Sequence, residues 1–171
     1  DNSSVGCLRS KLALADSNPG LDTIVFKAGL EGTILLNGTA LTIASSMVLT
    51  GPGASKITLD GGGASGIFLV SDNDGAALKS VTIKGLTLFN GSRPSGGAIE
   101  SSENLTVANS VITGNKATFG GGVYQNDGPL TLRKTTLSGN IVTQDGGGLF
   151  ARDLADKLVI DQSTINNNFA G

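Results

Sequence analysis

Short aliphatic runs recur along the chain at a nearly constant interval, and this repeat most constrains the fold. The runs span 57–59, 81–83, 105–107, 130–132 and 158–160, so their central residues lie 24 to 28 positions apart. A second short run follows each of the last four, and a third opens with paired glycines. Three short strands per repeat predict one rung of a parallel β-solenoid, with successive rungs stacked about 4.8 Å apart. The threonine at the centre of the first run (Thr58, Thr82, Thr106, Thr131) is predicted to face outward, between two inward aliphatic residues.

Two turn signals repeat with the strands. The first is an asparagine three residues after the second run, at Asn115, Asn140 and Asn168, which predicts a ladder of hydrogen-bonded amides in left-handed turns. The second is the glycine pair, which predicts corners that need a positive φ or a close approach of rungs. These structural glycines are Gly96, Gly97, Gly121, Gly122, Gly147 and Gly148.

Composition excludes several functional classes. The 171 residues carry 12 basic and 14 acidic side chains, a net charge of −2, which gives no electrostatic reason to expect nucleic acid or an anionic membrane as partner. No apolar run approaches a membrane span, so membrane insertion within this chain is not expected. Without histidine there is no Ser-His-Asp triad or His-based metal site, and one cysteine forms no internal disulfide. We expect no cofactor, no catalytic residue and one domain over residues 1–171.

The second half of the chain resembles a known repeat. In 112–123 an aliphatic residue, two further residues and Asn115 lead into Gly121-Gly122, and 137–149 follows the same pattern. This pattern is similar to the repeats of bacterial polymorphic outer-membrane proteins and related right-handed parallel β-helix adhesins. The resemblance implies an all-β, right-handed parallel β-helix of about six rungs, with a secreted or cell-surface location.

Residues 1–22 are predicted to cap the solenoid, and residues 23–171 to form its rungs. Leu8 and Leu12 lie on one face of a short amphipathic helix, which ends at Asn18-Pro19-Gly20. The segment from Gly6 is similar to the Cys-Ser-Leu-Arg-Glu-Ala segment that opens many bacterial surface β-helix proteins. No comparable cap follows the last run, so this end either continues into a longer solenoid or is covered by another subunit.

Acidic residues cluster in the loops before the first strand of each rung. They are Asp72, Asp74, Glu100, Glu103, Asp127, Asp153 and Asp156. Such a ridge can bind calcium or supply acid and base groups, with Lys79 and Arg152 nearby, but we favour the interpretation of a solvated loop ridge. We expect no metal site, because 72–75 resembles the start of a calcium loop but lacks its remaining ligands, and Asp72 and Asp74 are the residues that such a loop would use. A plain Asp-Gly turn is the alternative.

A predicted interaction surface comprises Ile99, Tyr124, Phe150 and Phe169. The first three follow the glycine pairs and form an exposed apolar stripe if their neighbours point inward. In the alternative, they tuck under a loop or the strand phase is reversed.

Glycosylation sequons occur at Asn2, Asn37, Asn90 and Asn104.

These observations predict a non-enzymatic, extracellular structural or adhesive protein. Two versions stay open: a segment of a surface adhesin, and a protomer that stacks head to tail on other copies of itself into a filament. Cell-surface glycans are a further expected partner. The alternative function is a β-helix that binds or cleaves polysaccharide through the acidic ridge.

Overall fold

In the computed structural model, residues 7–75, 77–152 and 157–171 are described. One helix, α1 (Leu8–Asp16), precedes the strands. The strands are β1 (Asp22–Val25), β2 (Gly32–Leu35), β3 (Leu41–Ile43), β4 (Met47–Thr50), β5 (Ile57–Asp60), β6 (Phe68–Val70), β7 (Ser80–Lys84), β8 (Thr87–Phe89), β9 (Ile99–Ser101), β10 (Asn104–Ala108), β11 (Val111–Thr113), β12 (Lys116–Ala117), β13 (Val123–Gln125), β14 (Leu130–Arg133), β15 (Thr136–Ser138), β16 (Ile141–Val142), β17 (Leu149–Ala151), β18 (Leu158–Asp161), β19 (Thr164–Asn166) and β20 (Phe169–Ala170).

The strands form four parallel sheets that stack along the axis of a solenoid. Sheet A contains β1, β4, β7, β10, β14 and β18, and sheet B contains β2, β5, β8, β11, β15 and β19. Sheet C contains β3, β6, β9, β13 and β17, and the short sheet D contains β12, β16 and β20. Reading across the sheets gives six rungs, beginning at β1, β4, β7, β10, β14 and β18. The predicted parallel β-solenoid of about six rungs is therefore confirmed.

The alternation of side chains along each strand builds the core. In β10, for example, Leu105 and Val107 are buried while Thr106 faces outward. Each inward residue stacks on its equivalent in the next rung, as Val107 does on Leu132. Stacked aliphatic columns remove apolar surface from water on every rung, and this burial is the main stabilising contribution.

One part of the predicted alignment is wrong. The run at 57–59 lies in sheet B, where Thr58 pairs with Thr33 and Thr87, so it does not precede the run at 81–83 in the same column. The true predecessor in sheet A is β4, in which Val48 pairs with Thr82, 34 positions later. A longer loop in the second rung lengthens this interval. An inward-outward-inward run looks the same in any sheet of a solenoid, so spacing alone placed it in the wrong column.

The three predicted ladder asparagines stack inside the solenoid. Nδ2 of Asn115 donates to Oδ1 of Asn140 at 2.9 Å, and Nδ2 of Asn140 donates to Oδ1 of Asn168 at the same distance. Each oxygen also accepts a backbone N–H from the previous rung. The left-handed turn residue is the one before the ladder position, Gly114 or Gly139, so the asparagines serve as hydrogen-bonding residues.

The repeated glycines allow the rungs to approach closely. A Cβ on Gly121 would overlap the carbonyl oxygen of Gly147, and one on Gly122 would overlap that of Gly148. Gly97, Gly147 and Gly148 are similarly crowded, and Gly96 is both crowded and held at a positive φ of 66°. The backbone N–H of Gly97 donates to the carbonyl oxygen of Gly120, and that of Ala98 donates to the carbonyl oxygen of Gly122. The first predicted glycine pair is therefore displaced by one position relative to the later pairs.

The predicted N-terminal helix packs against the first rung. Leu12 is buried in the core and Leu8 is half-buried against it. Arg9 donates to the carbonyl oxygens of Thr39 and Ala40, both at 2.6 Å, ahead of β3. At the other end of the helix, Oδ1 of Asp16 accepts the backbone N–H groups of Ala44 and Ser45, just after β3. The helix therefore runs alongside β3, in the place that a strand of a preceding rung would take.

Candidate functional site

A charged loop cluster lies between sheets C and A and comprises Asp72, Asp74, Lys79, Glu103 and Asp127. Glu103 is its buried member, with 3% of its surface exposed. Its two carboxylate oxygens accept the backbone N–H groups of Asp72 at 3.1 Å and of Lys79 at 2.7 Å. The side chain thus fastens the loop of the previous rung to its own rung.

An ion pair completes the cluster. Nζ of Lys79 lies 2.7 Å from Oδ2 of Asp72 and 3.9 Å from Oδ2 of Asp74. Hydrogen bonding to Lys79, aided by the Asp74 backbone N–H, holds the pKa of Asp72 far below its usual range. The same bond raises the pKa of Lys79. Burial raises the pKa of Glu103, against the two backbone donors.

The cluster borders a shallow cavity of about 240 Å³. Asp72, Glu103 and Asp127 line it together with the amide side chains of Asn73 and Asn126. The Lys79 ammonium occupies the position between Asp72 and Asp74 that a cation would need. Among the described residues, no group of three or more His, Cys, Asp or Glu is arranged to hold a metal ion.

The structure brings only part of the predicted acidic ridge together. Glu100 is on the outer face of sheet C, where Arg93 Nη2 lies 2.8 Å from its carboxylate. Asp153 and Asp156 lie outside the described residues. Gln125 is a buried polar residue that the sequence did not single out, and its Nε2 donates to the Glu103 carbonyl oxygen at 2.6 Å. A polar side chain at the inward position of a strand was the signal available for it.

The predicted interaction surface is only partly assembled. Tyr124 and Phe150 are neighbours on the outer face of sheet C, stacked in parallel with ring centroids 5.4 Å apart. Phe119, which the sequence did not single out, packs against Phe150 with the ring centroids 5.5 Å apart. Phe169 lies in sheet D and is 61% exposed.

Ile99 does not belong to an exposed stripe. It is fully buried, because it pairs with Val123, and the residue that pairs with Tyr124 is Glu100. The one-position displacement of the first glycine pair moves Ile99 to the opposite face of the strand. Tyr124 is only 9% exposed and one face of its ring is covered by Phe150, which leaves little room for sugar stacking.

The two ends of the solenoid leave strands unpaired within the described chain. At the first rung, a largely apolar groove of about 610 Å³ is lined by Leu8, Ile24, Phe26 and Ile34, among others. At the last rung, the inward-facing Ile160 and Ile165 are 46% and 42% exposed, whereas Leu132 and Leu137 before them are fully buried.

The sequons occupy different settings. Asn37 lies in an exposed turn, Nδ2 of Asn90 donates to Asp60, and Asn104 begins strand β10. Asn2 lies outside the described residues.

Comparison with known proteins identifies the family. A protein-family model, described as the right-handed β-helix region, matches residues 33–171 of the chain. The chain belongs to the right-handed β-helix family. This match agrees with the parallel order of all four sheets in this β-helix protein. No curated protein matches the chain, and no solved structure matches it. Within the described residues, no helix of this β-helix protein is long and apolar enough to cross a membrane.

Proposed function

We propose that this β-helix protein has a structural role outside the cell, as an element of a surface filament or of a longer adhesin. The observation that carries the proposal is that the charged side chains of the loop cluster are already bonded to other groups of the chain. Glu103 is engaged by two backbone N–H groups, and Asp72 is engaged by Lys79. Groups tied in this way hold loops in place and are poorly suited to exchange protons with a substrate.

A catalytic carboxylate works as an acid or base when a proton and a substrate atom can reach it. In glycoside hydrolysis two carboxyl groups flank the scissile bond, with one protonated and the other charged. Here the ammonium of Lys79 blocks Asp72, and the Glu103 oxygens point at backbone donors of the neighbouring loop. The cluster therefore favours loop attachment over polysaccharide cleavage.

The adhesin version of the proposal draws on the repeat itself. Stacked rungs give long outer faces whose small polar side chains repeat from rung to rung, as in Thr82, Thr106 and Thr131. A regular, rigid rod of this kind suits the display of binding surfaces away from a cell envelope. Cell-surface glycans remain the proposed class of adhesive partner.

Two measurements test this role. Incubation with uronic-acid polymers and calcium should release no unsaturated product and no new reducing ends. Protease treatment of intact source cells should remove the protein, because we place it outside the cell. Product formation that Glu103→Gln abolishes would establish the polysaccharide-active alternative. Protection of the protein until the cells are lysed would contradict the surface location.

A further inference from the structure

The first rung presents two unpaired strand edges beside the helix. Because α1 runs along β3, it covers sheet C and leaves the outer edges of β1 and β2 without partners among the described residues. Ile24 and Ile34 point toward the groove between these strands and are only partly buried. An unpaired parallel edge above an apolar groove is a template for another strand.

The last rung presents the matching edges. Strands β18 and β19 end sheets A and B, and their inward residues Ile160 and Ile165 are exposed. Sheet C ends one rung earlier, at β17, so the position beyond β17 is open in the described chain. The last rung thus offers edges in sheets A, B and D and a gap in sheet C, and the first rung has no strand of sheet D to lie opposite β20.

In sheets A and B the two ends are complementary in order and in direction. Every strand of a sheet runs in parallel, so a translation along the solenoid axis brings the first rung of one copy onto the last rung of another. We propose that a second copy of this chain stacks in this way, with its β1 on β18 and its β2 on β19. This inference rests on the structural role proposed above and names its partner.

The register of this contact follows from the columns within the chain. Residue 22 and residue 158 belong to the same column of sheet A, so Thr23 falls opposite Val159 and Ile24 opposite Ile160. In sheet B, Ile34 falls opposite Ile165. The exposed inward residues of both ends then bury one another, as their equivalents do in the middle of the solenoid.

The helix fits the gap in sheet C. Stacking places α1 of the second copy beside β17, in the open position. Leu14, on the side of α1 away from the core, is 58% exposed and would meet the partly buried Leu149 of β17. The helix that caps one copy therefore also fills the open position in sheet C of the neighbouring copy.

Because the surfaces of the two ends differ, the contact is heterologous and extends without closing.

Disulfide trapping tests the register directly. In a Cys7→Ser background, one chain carries Val159→Cys and a second chain, distinguished by a size tag, carries Thr23→Cys. Neighbours in adjacent parallel strands lie about 4.8 Å apart, within the Cα separation that a disulfide spans. Both positions are exposed and outward, so circular dichroism of each chain should match that of the parent.

The control pairs Val159→Cys with Thr33→Cys, which is equally exposed on the same end but lies in sheet B. Mild oxidation should give several-fold more mixed disulfide dimer from the Val159 and Thr23 pair than from the control. Equal yields, or no dimer from either pair, would overturn the proposed contact. Such a result leaves the structural role standing, because that role is tested by the polysaccharide and protease measurements.

Discussion

Asn115 and Asn140 are joined through their side chains inside the solenoid, with Nδ2 of the first donating to Oδ1 of the second at 2.9 Å. Both side chains are fully buried, and Asn140 also donates to the Ile112 carbonyl oxygen at 3.0 Å. Buried amides are tolerated only when their donors and acceptors are satisfied. Each rung therefore depends on the asparagine of the next rung.

Replacing the middle asparagine should break the ladder on both sides. Asn140→Ala removes the acceptor for the Asn115 backbone N–H and the donor to Ile112, so buried polar groups lose their partners. We expect the free energy of unfolding to fall by about 2–4 kcal/mol. Urea denaturation followed by circular dichroism measures the change. Asn166→Ala, at an exposed position of the next rung, is the control and should cost less than about 0.5 kcal/mol. Equal losses would contradict the structural importance of the ladder.

Two glycines, Gly121 in the fourth rung and Gly139 in the fifth, should respond differently to alanine. In Gly121→Ala the added Cβ would overlap the Gly147 backbone, so the rungs must separate, at a cost of about 3 kcal/mol or more. A Cβ on Gly139 would make only an ordinary contact with Thr113 Oγ1 at 3.7 Å, and its φ is 63°, so Gly139→Ala should cost only about 1 kcal/mol of backbone strain. Thermal unfolding of the two variants in parallel checks the order. A larger loss for Gly139→Ala would refute the close-approach explanation.

Lys134 lies in a turn and has a backbone conformation that favours glycine. Its φ is 49°, and Gly85 has a φ of 69° at the corresponding turn of an earlier rung. Lys134→Gly should therefore raise the free energy of unfolding by about 0.5–1 kcal/mol. Lys84→Gly, within strand β7, is the matched control and should lower it. Chemical denaturation compares both with the parent, and destabilisation by Lys134→Gly would show that the lysine makes a compensating contact.

The ion pair in the charged loop cluster should give a stability contribution with two pH limits. The pKa of Asp72 is lowered by folding, so its contribution is present above its ordinary value of 3.8 and is lost as the pH falls through the lowered pKa. The pKa of Lys79 is raised from 10.5, so its contribution is present below that value and is lost as the pH rises through the raised pKa.

The difference in stability between the parent and Asp72→Asn should therefore be largest between about pH 5 and pH 10 and shrink outside this range. Urea denaturation within this pH range and on both sides of it measures the difference. Asp74→Asn is the matched control, because Asp74 lies farther from Lys79 and is more exposed. A difference that stays constant with pH would exclude the ion pair as its source.

The sequence predicted the fold well because each rung repeats the same physical solution. The aliphatic alternation, the asparagine ladder and the glycine corners are all local signals with one period, and they agree. The features that were predicted in the wrong place are those at which the repeat is interrupted. The long loop before β7 placed Thr58 in the wrong column, and Ala98 in place of a third glycine put Ile99 on the wrong face.

The candidate site was less predictable because it depends on tertiary contacts. The sequence placed Glu103 on an acidic ridge, but only the stacked rungs bury it against the backbone of Asp72 and Lys79. The pairing of Tyr124 with Glu100 likewise depends on register, which a one-residue slip reverses.

The most direct test of the account is the assembly state of the purified chain. Negative-stain electron microscopy should show thin, unbranched fibres, and size-exclusion chromatography with light scattering should show species that grow with concentration. Six rungs per copy, each about 4.8 Å, give an expected axial repeat of about 29 Å. A monodisperse monomer at every concentration, without fibres, would contradict head-to-tail stacking.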